Sequence, residues 1–249
     1  MRRRPLARTG LLAVAIALGL GGCSQSFGLA EPASDQAETV RGLWSPAVVA
    51  ALLVGALVWG LIIWAIVRYR RRSDELPSQT DEHIPIELFY TAVPILIVVV
   101  LFGFGTMAQR DITEQVDDPD ATVLVEGFQW SWRFTYEGSD IVVSGDAAGT
   151  VGPELVLPVD QTTRLKLVSV DVNHSFWVPR FLSKRDLIPG VDNEIDVTPN
   201  EVGLHQGRCA EFCGLDHWRM NFRVRVVSAA DFRTWLADNA DTTTEEGGG

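Results

Sequence analysis

Three soft-ligand residue types, Cys, His and Met, stand close together near the end of the chain. Cys209, Cys213, His217 and Met220 follow the spacing C-x3-C-x3-H-x2-M, and a further histidine, His174, follows a β-rich run upstream. Thiolate, imidazole and thioether are soft or borderline ligands, and together they suit copper in a redox role. The pattern therefore predicts a metal centre. Two thiolates would allow two copper ions to share bridging sulfurs.

The same residues leave other interpretations open. Two Cys and two His could bind zinc, although a Met adds nothing to a zinc site. Cys209 and Cys213 could instead form a disulfide if this part of the chain faces an oxidising compartment. Taken singly, His174 and Met220 are more typical of structural or core positions than of ligands.

The elements that must position these residues have the pattern of β-strands. From Ala121 onward, short runs rich in β-branched and aromatic residues alternate with Gly, Pro and Asp. Such alternation predicts an all-β sandwich or barrel, followed by a short helix at Ala229–Ala240. The predicted strands are Thr122–Val125, Ser131–Tyr136, Ile141–Val143, Leu155–Leu157, Thr163–Val170, Glu194–Thr198 and Asn221–Val227.

Two uncharged runs before this domain predict transmembrane helices at 44–67 and 87–108. Arg68-Tyr69-Arg70-Arg71-Arg72 directly follows the first run and marks the cytoplasmic side, so 68–86 is predicted as a cytoplasmic loop. The β domain is then extracytoplasmic, in a multi-pass protein of a bacterial plasma membrane. A buried helical hairpin in a soluble protein is the alternative.

The N-terminus has the features of a targeting segment. Arginines precede an apolar run at Leu11–Leu20, and Leu20-Gly21-Gly22-Cys23 resembles a bacterial lipobox. The resemblance implies a signal peptide at 1–22 and acylation of Cys23, which would insert into membrane lipid. An ordinary signal peptide with an incidental Cys stays open. Residues 23–43 are predicted to be an extracytoplasmic linker.

Charge and cysteine content narrow the function classes. The net charge is −11, with the acidic excess after residue 110, which argues against a general nucleic-acid binder. Three cysteines are too few for a disulfide framework. Glu87, at the start of the second span, either reaches the interface as a solvated carboxylate or belongs to a proton route. Residues 241–249 are predicted to be a flexible tail.

Several segments resemble subunit II of the haem–copper cytochrome c oxidases. They are His174-Ser175-Phe176-Trp177-Val178-Pro179, Ile188-Pro189-Gly190 and Cys209-Ala210-Glu211-Phe212-Cys213-Gly214. The resemblance covers nearly the whole chain after Cys23. It implies a two-helix transmembrane hairpin followed by a cupredoxin-like Greek-key barrel or sandwich at 120–240. It also implies a dinuclear copper centre, called CuA, in which Cys209 and Cys213 bridge both coppers and His174 and His217 each bind one.

The resemblance assigns further roles. Met220 and the backbone carbonyl of Glu211 would be weak axial ligands, and the Glu211 side chain would face a magnesium shared with subunit I. Trp130, in Phe128-Gln129-Trp130-Ser131-Trp132, would receive electrons from cytochrome c or a membrane-bound c-type cytochrome. Glu87 would stand at the mouth of a proton channel. Electrons would pass to haem in subunit I, where oxygen is reduced to water with proton pumping.

Two departures and several rival functions remain. Ala210 stands where a small hydroxyl residue is common, and Pro179–Arg185 differs from the usual Gly-containing stretch. A quinol oxidase subunit would lack the ligands, and a nitrous oxide reductase would need a further large domain. A membrane-tethered copper carrier and a disulfide-stapled adhesion lipoprotein are the rivals from other classes.

Overall fold

The structure is a computed structural model that describes residues 27–72, 74–76, 79–146 and 152–240. The predicted signal peptide, Cys23 and the predicted tail at 241–249 lie outside the described residues. The chain divides into two compact units. One contains Gly42–Arg110, and the other contains Gly28–Arg41 together with the chain from Asp111 onward.

Two long helices contain the predicted spans. Helix α1 is Asp35–Arg68 and helix α2 is Ile84–Thr113, with 34 and 30 residues. At 1.5 Å per residue they measure about 51 and 45 Å, which exceeds the roughly 30 Å of a hydrocarbon core. The apolar part of each helix buries nothing within the chain, so its side chains are available to lipid or to partner helices.

Helix α1 begins within the segment predicted as a linker. The backbone N–H of Ala37 donates to Ser34 Oγ at 3.2 Å, which makes Ser34 the N-cap. Asp35 and Glu38 lie in the first turn, where acidic groups favour the positive end of the helix dipole. Polar residues that suggested a loop are thus helix-start residues, and 35–43 is helical.

Within the described residues, ten strands and a further helix follow. Seven strands coincide with predicted runs, and helix α3, at Ala229–Asn239, matches the predicted helix and is capped by Ser228. The prediction lacked the strands at His174–Val178, Ser183–Leu187 and Gly203–Cys209, because their sequences are short or interrupted by polar and glycine residues. The strands are β1 Ala121–Phe128, β2 Ser131–Tyr136, β3 Val142–Ser144, β4 Glu154–Pro158, β5 Thr163–Ser169, β6 His174–Val178, β7 Ser183–Leu187, β8 Asn193–Val197, β9 Gly203–Cys209 and β10 Asn221–Val227.

The strands form two five-stranded sheets, ordered β3-β2-β1-β5-β8 and β4-β10-β9-β6-β7. The pairs β1–β5 and β4–β10 are parallel, and the other pairs are antiparallel. Buried side chains alternate along β1, β5 and β10, so each sheet presents an apolar face to one common core. The predicted β-sandwich is confirmed.

Aromatic rings fill the core next to the ligand-bearing strands. Phe176 and Phe222 stack with centroids 4.7 Å apart, and Trp132 meets Phe222 at 5.1 Å. A Cβ on Gly207 would lie 2.1 Å from the Phe222 ring, so β9 requires glycine there. Trp132 is fully buried and is a core residue. This rigid aromatic layer supports both β6 and the end of β9.

Candidate metal centre

The predicted ligands come from two neighbouring strands and the loop that follows one of them. His174 is the first residue of β6, and Cys209 is the last residue of β9. The strands are antiparallel, with Phe176 opposite Cys209, so the start of β6 lies beside the end of β9. The other ligands lie on the loop between β9 and β10, here called the metal loop, Cys209–Met220.

The structure brings all five predicted side chains together. The two Sγ atoms lie 3.9 Å apart. His174 Nδ1 is 3.9 Å from Cys209 Sγ, and His217 Nδ1 is 3.4 Å from Cys213 Sγ. Met220 Sδ lies 3.7 Å from Cys213 Sγ. Two thiol sulfurs, two imidazole nitrogens and one thioether sulfur therefore lie in a single cluster.

A backbone oxygen joins this cluster. The carbonyl of Glu211 accepts from Cys209 Sγ at 3.2 Å, so it faces the same space as the thiols. The axial role of this carbonyl and the magnesium role of the Glu211 carboxylate both stay predictions.

Burial makes ionisation of the thiols in this cluster unfavourable unless a cation is bound beside them. His174 is fully buried, and Cys209, Cys213 and Met220 are each at most 4% exposed. Cys209 and Cys213 are free thiols, since 3.9 Å is far longer than a disulfide bond of about 2.05 Å. Burial, and then the neighbouring Cys209, raise the pKa of Cys213 to about 12. A bound cation would supply the positive charge that this pair of thiolates lacks.

The donor set distinguishes between metals. The ligand atoms of His174, Cys209 and Cys213 all lie within 4.8 Å of one another, and no carboxylate belongs to that group. Two thiols, two imidazoles and a thioether are too soft for magnesium or calcium. The thioether of Met220 beside Cys213 favours copper over a zinc site. The residues present therefore fit copper.

An outer carboxylate orients one of the histidines. His174 Nε2 lies 2.8 Å from Asp171 Oδ1. Burial opposes ionisation of Asp171, but hydrogen bonds from His174, Gln129 and Val172 outweigh it and lower the pKa of this carboxyl. The ionised carboxylate accepts a hydrogen bond from Nε2–H, which leaves the Nδ1 lone pair facing Cys209. Sequence reasoning missed Asp171, although its place three residues before His174 was the available signal.

Trp130 also lies against the metal loop. Its indole Nε1 donates to the carbonyl oxygen of Cys213 at 3.2 Å, and the ring is partly exposed. One residue therefore joins the outer surface to a predicted thiolate ligand. Trp132, in the same stretch, donates to the carbonyl of Met220 at 3.4 Å from inside the core.

Three large apolar side chains of the metal loop itself are exposed. Phe212, Leu215 and Trp218 are 77%, 83% and 75% exposed. Exposed apolar residues grouped in this way mark a surface that another protein covers. We call these three residues the apolar rim.

Glu87 belongs to the helical unit and not to this centre. It lies in the first turn of α2, and its carboxylate accepts from the backbone N–H of His83 at 2.8 Å. That bond satisfies a free donor at the start of the helix. The proton-route assignment of Glu87 stays a prediction.

A β-sandwich that gathers two thiols, two imidazoles and a thioether at one end, in a chain with two spanning helices, defines a membrane-anchored metalloprotein. Family models agree: residues 121–227 match "Cytochrome C oxidase subunit II, periplasmic domain", and residues 22–105 match its "transmembrane domain". The chain belongs to the cytochrome c oxidase subunit II family. It is thus a component of a membrane-bound oxidase complex, and its C-terminal domain is extracytoplasmic.

Individual relatives extend over most of the chain. A probable cytochrome c oxidase subunit 2 from Streptomyces coelicolor is 38% identical over 283 residues, which cover 96% of this chain and 89% of the relative. Cytochrome c oxidase subunit 2 from Mycobacterium tuberculosis is 34% identical over 303 residues, covering 97% and 83%. The solved periplasmic domain of subunit II from Bradyrhizobium japonicum is 31% identical, with a TM-score of 0.45, covering 50% of this chain and 96% of its own.

Proposed function

We propose that the chain accepts electrons from a c-type cytochrome at a dinuclear copper centre and passes them to haem in subunit I. The observation that carries the proposal is the convergence of Cys209, Cys213, His174, His217 and Met220 in a member of this family. Reduction of oxygen to water, with proton pumping, would take place in the assembled oxidase.

The ligand roles follow from position. Cys209 and Cys213 lie at the centre of the cluster and would bridge both coppers. His174 lies beside Cys209, and His217 lies beside Cys213, so each imidazole would bind one copper. Met220 and the Glu211 carbonyl, on opposite thiols, would be the weak axial ligands. When bound, such a thiolate-bridged pair holds and releases one electron delocalised over both metals.

The protein keeps this geometry nearly constant during transfer. His174 and Cys209 begin and end hydrogen-bonded strands, and the aromatic core beneath them resists compression. Asp171 fixes the ring of His174, so that the imidazole does not need to reorient. A ligand set held in this way changes little on reduction, which favours fast electron transfer.

Trp130 is the proposed point at which electrons enter. Its ring reaches the surface, and its indole N–H donates a hydrogen bond to the carbonyl of Cys213. The apolar rim would contact the partner that delivers or receives the electron. The acidic balance of the protein would steer a basic cytochrome towards it.

Four further assignments belong to the proposal. The Glu211 carboxylate would bind a magnesium shared with subunit I, and Glu87 would stand at the mouth of a proton channel into subunit I. Residues 1–22 would be removed as a signal peptide. Acylation of Cys23 would anchor the new N-terminus in the outer face of the membrane.

The test is copper loading of the full-length chain in detergent. The whole chain is required, because Gly28–Arg41 is part of the same compact unit as the β domain. We expect two coppers per chain, a purple colour and a seven-line hyperfine pattern in the EPR spectrum. A single copper with a four-line signal would instead indicate a copper carrier. A Cys209–Cys213 disulfide with no copper bound would indicate a structural role.

A further inference from the structure

One residue beside the metal centre links the two ligand-bearing segments but is not itself a predicted ligand. Gln129 lies between β1 and β2, next to Trp130. Its side-chain Nε2 donates to the carbonyl oxygen of Cys213 at 2.8 Å. Its backbone N–H donates to Asp171 Oδ2 at 2.8 Å. Asp171 in turn holds His174 through its other oxygen.

These bonds form a continuous network. It runs from the carbonyl of Cys213, through the side chain and backbone of Gln129, to the carboxylate of Asp171 and the imidazole of His174. Cys213 and His174 belong to different segments of the chain, the metal loop and β6. Gln129 is therefore the residue through which the position of a thiolate ligand and the orientation of an imidazole ligand are coupled.

The carbonyl oxygen of Cys213 accepts as many hydrogen bonds as it has lone pairs. It accepts from Gln129 Nε2 and also from Trp130 Nε1, which matches the two lone pairs of a carbonyl oxygen. The next residue, Gly214, makes room for both donors. Its φ is +123°, and a Cβ there would lie 3.1 Å from Gln129 Nε2 and 3.1 Å from Trp130 Nε1.

We propose that Gln129 is a positioning residue of the metal centre, which holds the Cys213 peptide in place and tunes the electron affinity of the copper site. This inference rests on the proposed function. Hydrogen bonds to its carbonyl fix the Cys213 peptide, and therefore the position from which its side chain reaches towards Cys209. The two N–H groups donate to the Cys213 carbonyl oxygen and offset its partial negative charge beside the thiolate. This stabilises the reduced, more negative state of the centre.

The test replaces Gln129 with Leu, which has similar size and no donor. In the copper-loaded full-length chain, we expect Gln129→Leu to retain two coppers. It should release them to a chelator roughly 10-fold faster, as is typical when an outer partner of a metal ligand is lost. We also expect a lower reduction potential and altered hyperfine splitting. The matched control is Gln161→Leu, the same change in the turn between β4 and β5, which should leave all three measurements unchanged.

A double-variant experiment measures whether Gln129 and Asp171 act through the same network. Asp171→Asn alone should also speed copper release. The double variant should release copper more slowly than the product of the two single effects predicts, because both changes disrupt one network. If Gln129→Leu folds poorly, Gln129→Asn keeps the amide but shortens its reach, and the same changes in release rate and potential are expected.

The outcomes separate the two proposals. If the unsubstituted chain binds no copper pair, the proposed function fails. If it binds the pair and Gln129→Leu and Gln129→Asn both match it in release rate, potential and hyperfine splitting, the positioning role of Gln129 is wrong and the proposed function stands.

Discussion

Two segments outside the sheets of the same compact unit are held in different ways. The metal loop brings its side chains together at 3.4 to 3.9 Å, through weak sulfur contacts. The N-terminal segment, Gly28–Arg41, is held by conventional hydrogen bonds and ion pairs. The first arrangement offers soft ligands that a metal ion could bind, whereas the second consists of direct bonds between protein groups.

The contacts of the N-terminal segment show this directly. The N–H of Ala33 donates to the carbonyl of Arg180 at 2.9 Å, and Arg180 Nε donates to the carbonyl of Glu31 at 3.0 Å. Arg180 also forms a bidentate pair with Glu201, at 2.6 and 2.7 Å. Arg180 is therefore one of several residues that hold this segment, together with Thr198 and Asn200.

The largest effect should come from removing a bridging thiol. Cys213→Ser removes the atom nearest to both His217 and Met220, so the copper pair should be lost entirely. Copper content and EPR of the full-length chain measure this. Retention of a seven-line spectrum would contradict the central position given to Cys213. The N-terminal segment should keep its amide-exchange protection in this variant, because within the described residues none of its hydrogen bonds or ion pairs involves the metal loop.

A smaller effect is expected at the outer carboxylate. Asp171→Asn keeps the shape but weakens the bond to His174 Nε2, so copper affinity should fall roughly 10- to 100-fold. Competition with a copper chelator provides the measurement. Asp186→Asn, on β7, is the matched control and should retain the original affinity. Equal copper affinities for the two variants would show that Asp171 does not orient His174 for metal binding.

A substitution in the N-terminal segment should lower the stability of the protein and leave its copper spectrum unchanged. Ser34 is fully buried and caps α1, so Ser34→Ala should lower the free energy of unfolding by about 1 kcal/mol. Ser228→Ala removes the corresponding cap of α3 and serves as the control. We expect amide exchange in 28–41 to rise only in Ser34→Ala, with an unchanged copper spectrum in both. A changed copper spectrum in Ser34→Ala would mean that the two segments are not independent.

The smallest effect concerns pH. Burial lowers the pKa of His205, which lies behind Arg180 with its ring 5.8 Å from Phe181. The unfolded chain takes up a proton near the ordinary pKa of about 6.5, whereas the folded chain does so only at lower pH. Stability should therefore decline as the pH falls from about 7 towards 5. Urea unfolding of the copper-free protein measures this decline, and His205→Gln should abolish its His205 component.

The helices, the sandwich and the metal loop could be predicted, because each produces a pattern within a short stretch of sequence. Uncharged runs long enough to span a bilayer predicted α1 and α2, and short β-rich runs separated by Gly, Pro and Asp predicted the sandwich. The spacing from Cys209 to Met220 predicted a soft metal centre, since these side chains have few other uses when grouped in one loop. Resemblance then supplied the distant partner, His174, which spacing alone could not assign.

Only the tertiary structure decided what depends on long-range pairing. The register of β6 against β9 places His174 beside Cys209, across 35 positions of sequence. The bonds of Gln129 to Asp171 and to Cys213 span 42 and 84 positions. The docking of Gly28–Arg41 relies on Arg180 and Glu201 in the same way. Hydrogen bonds of this kind leave no periodicity in the sequence, because each one depends on where two separate segments are brought by the packing of the sheets.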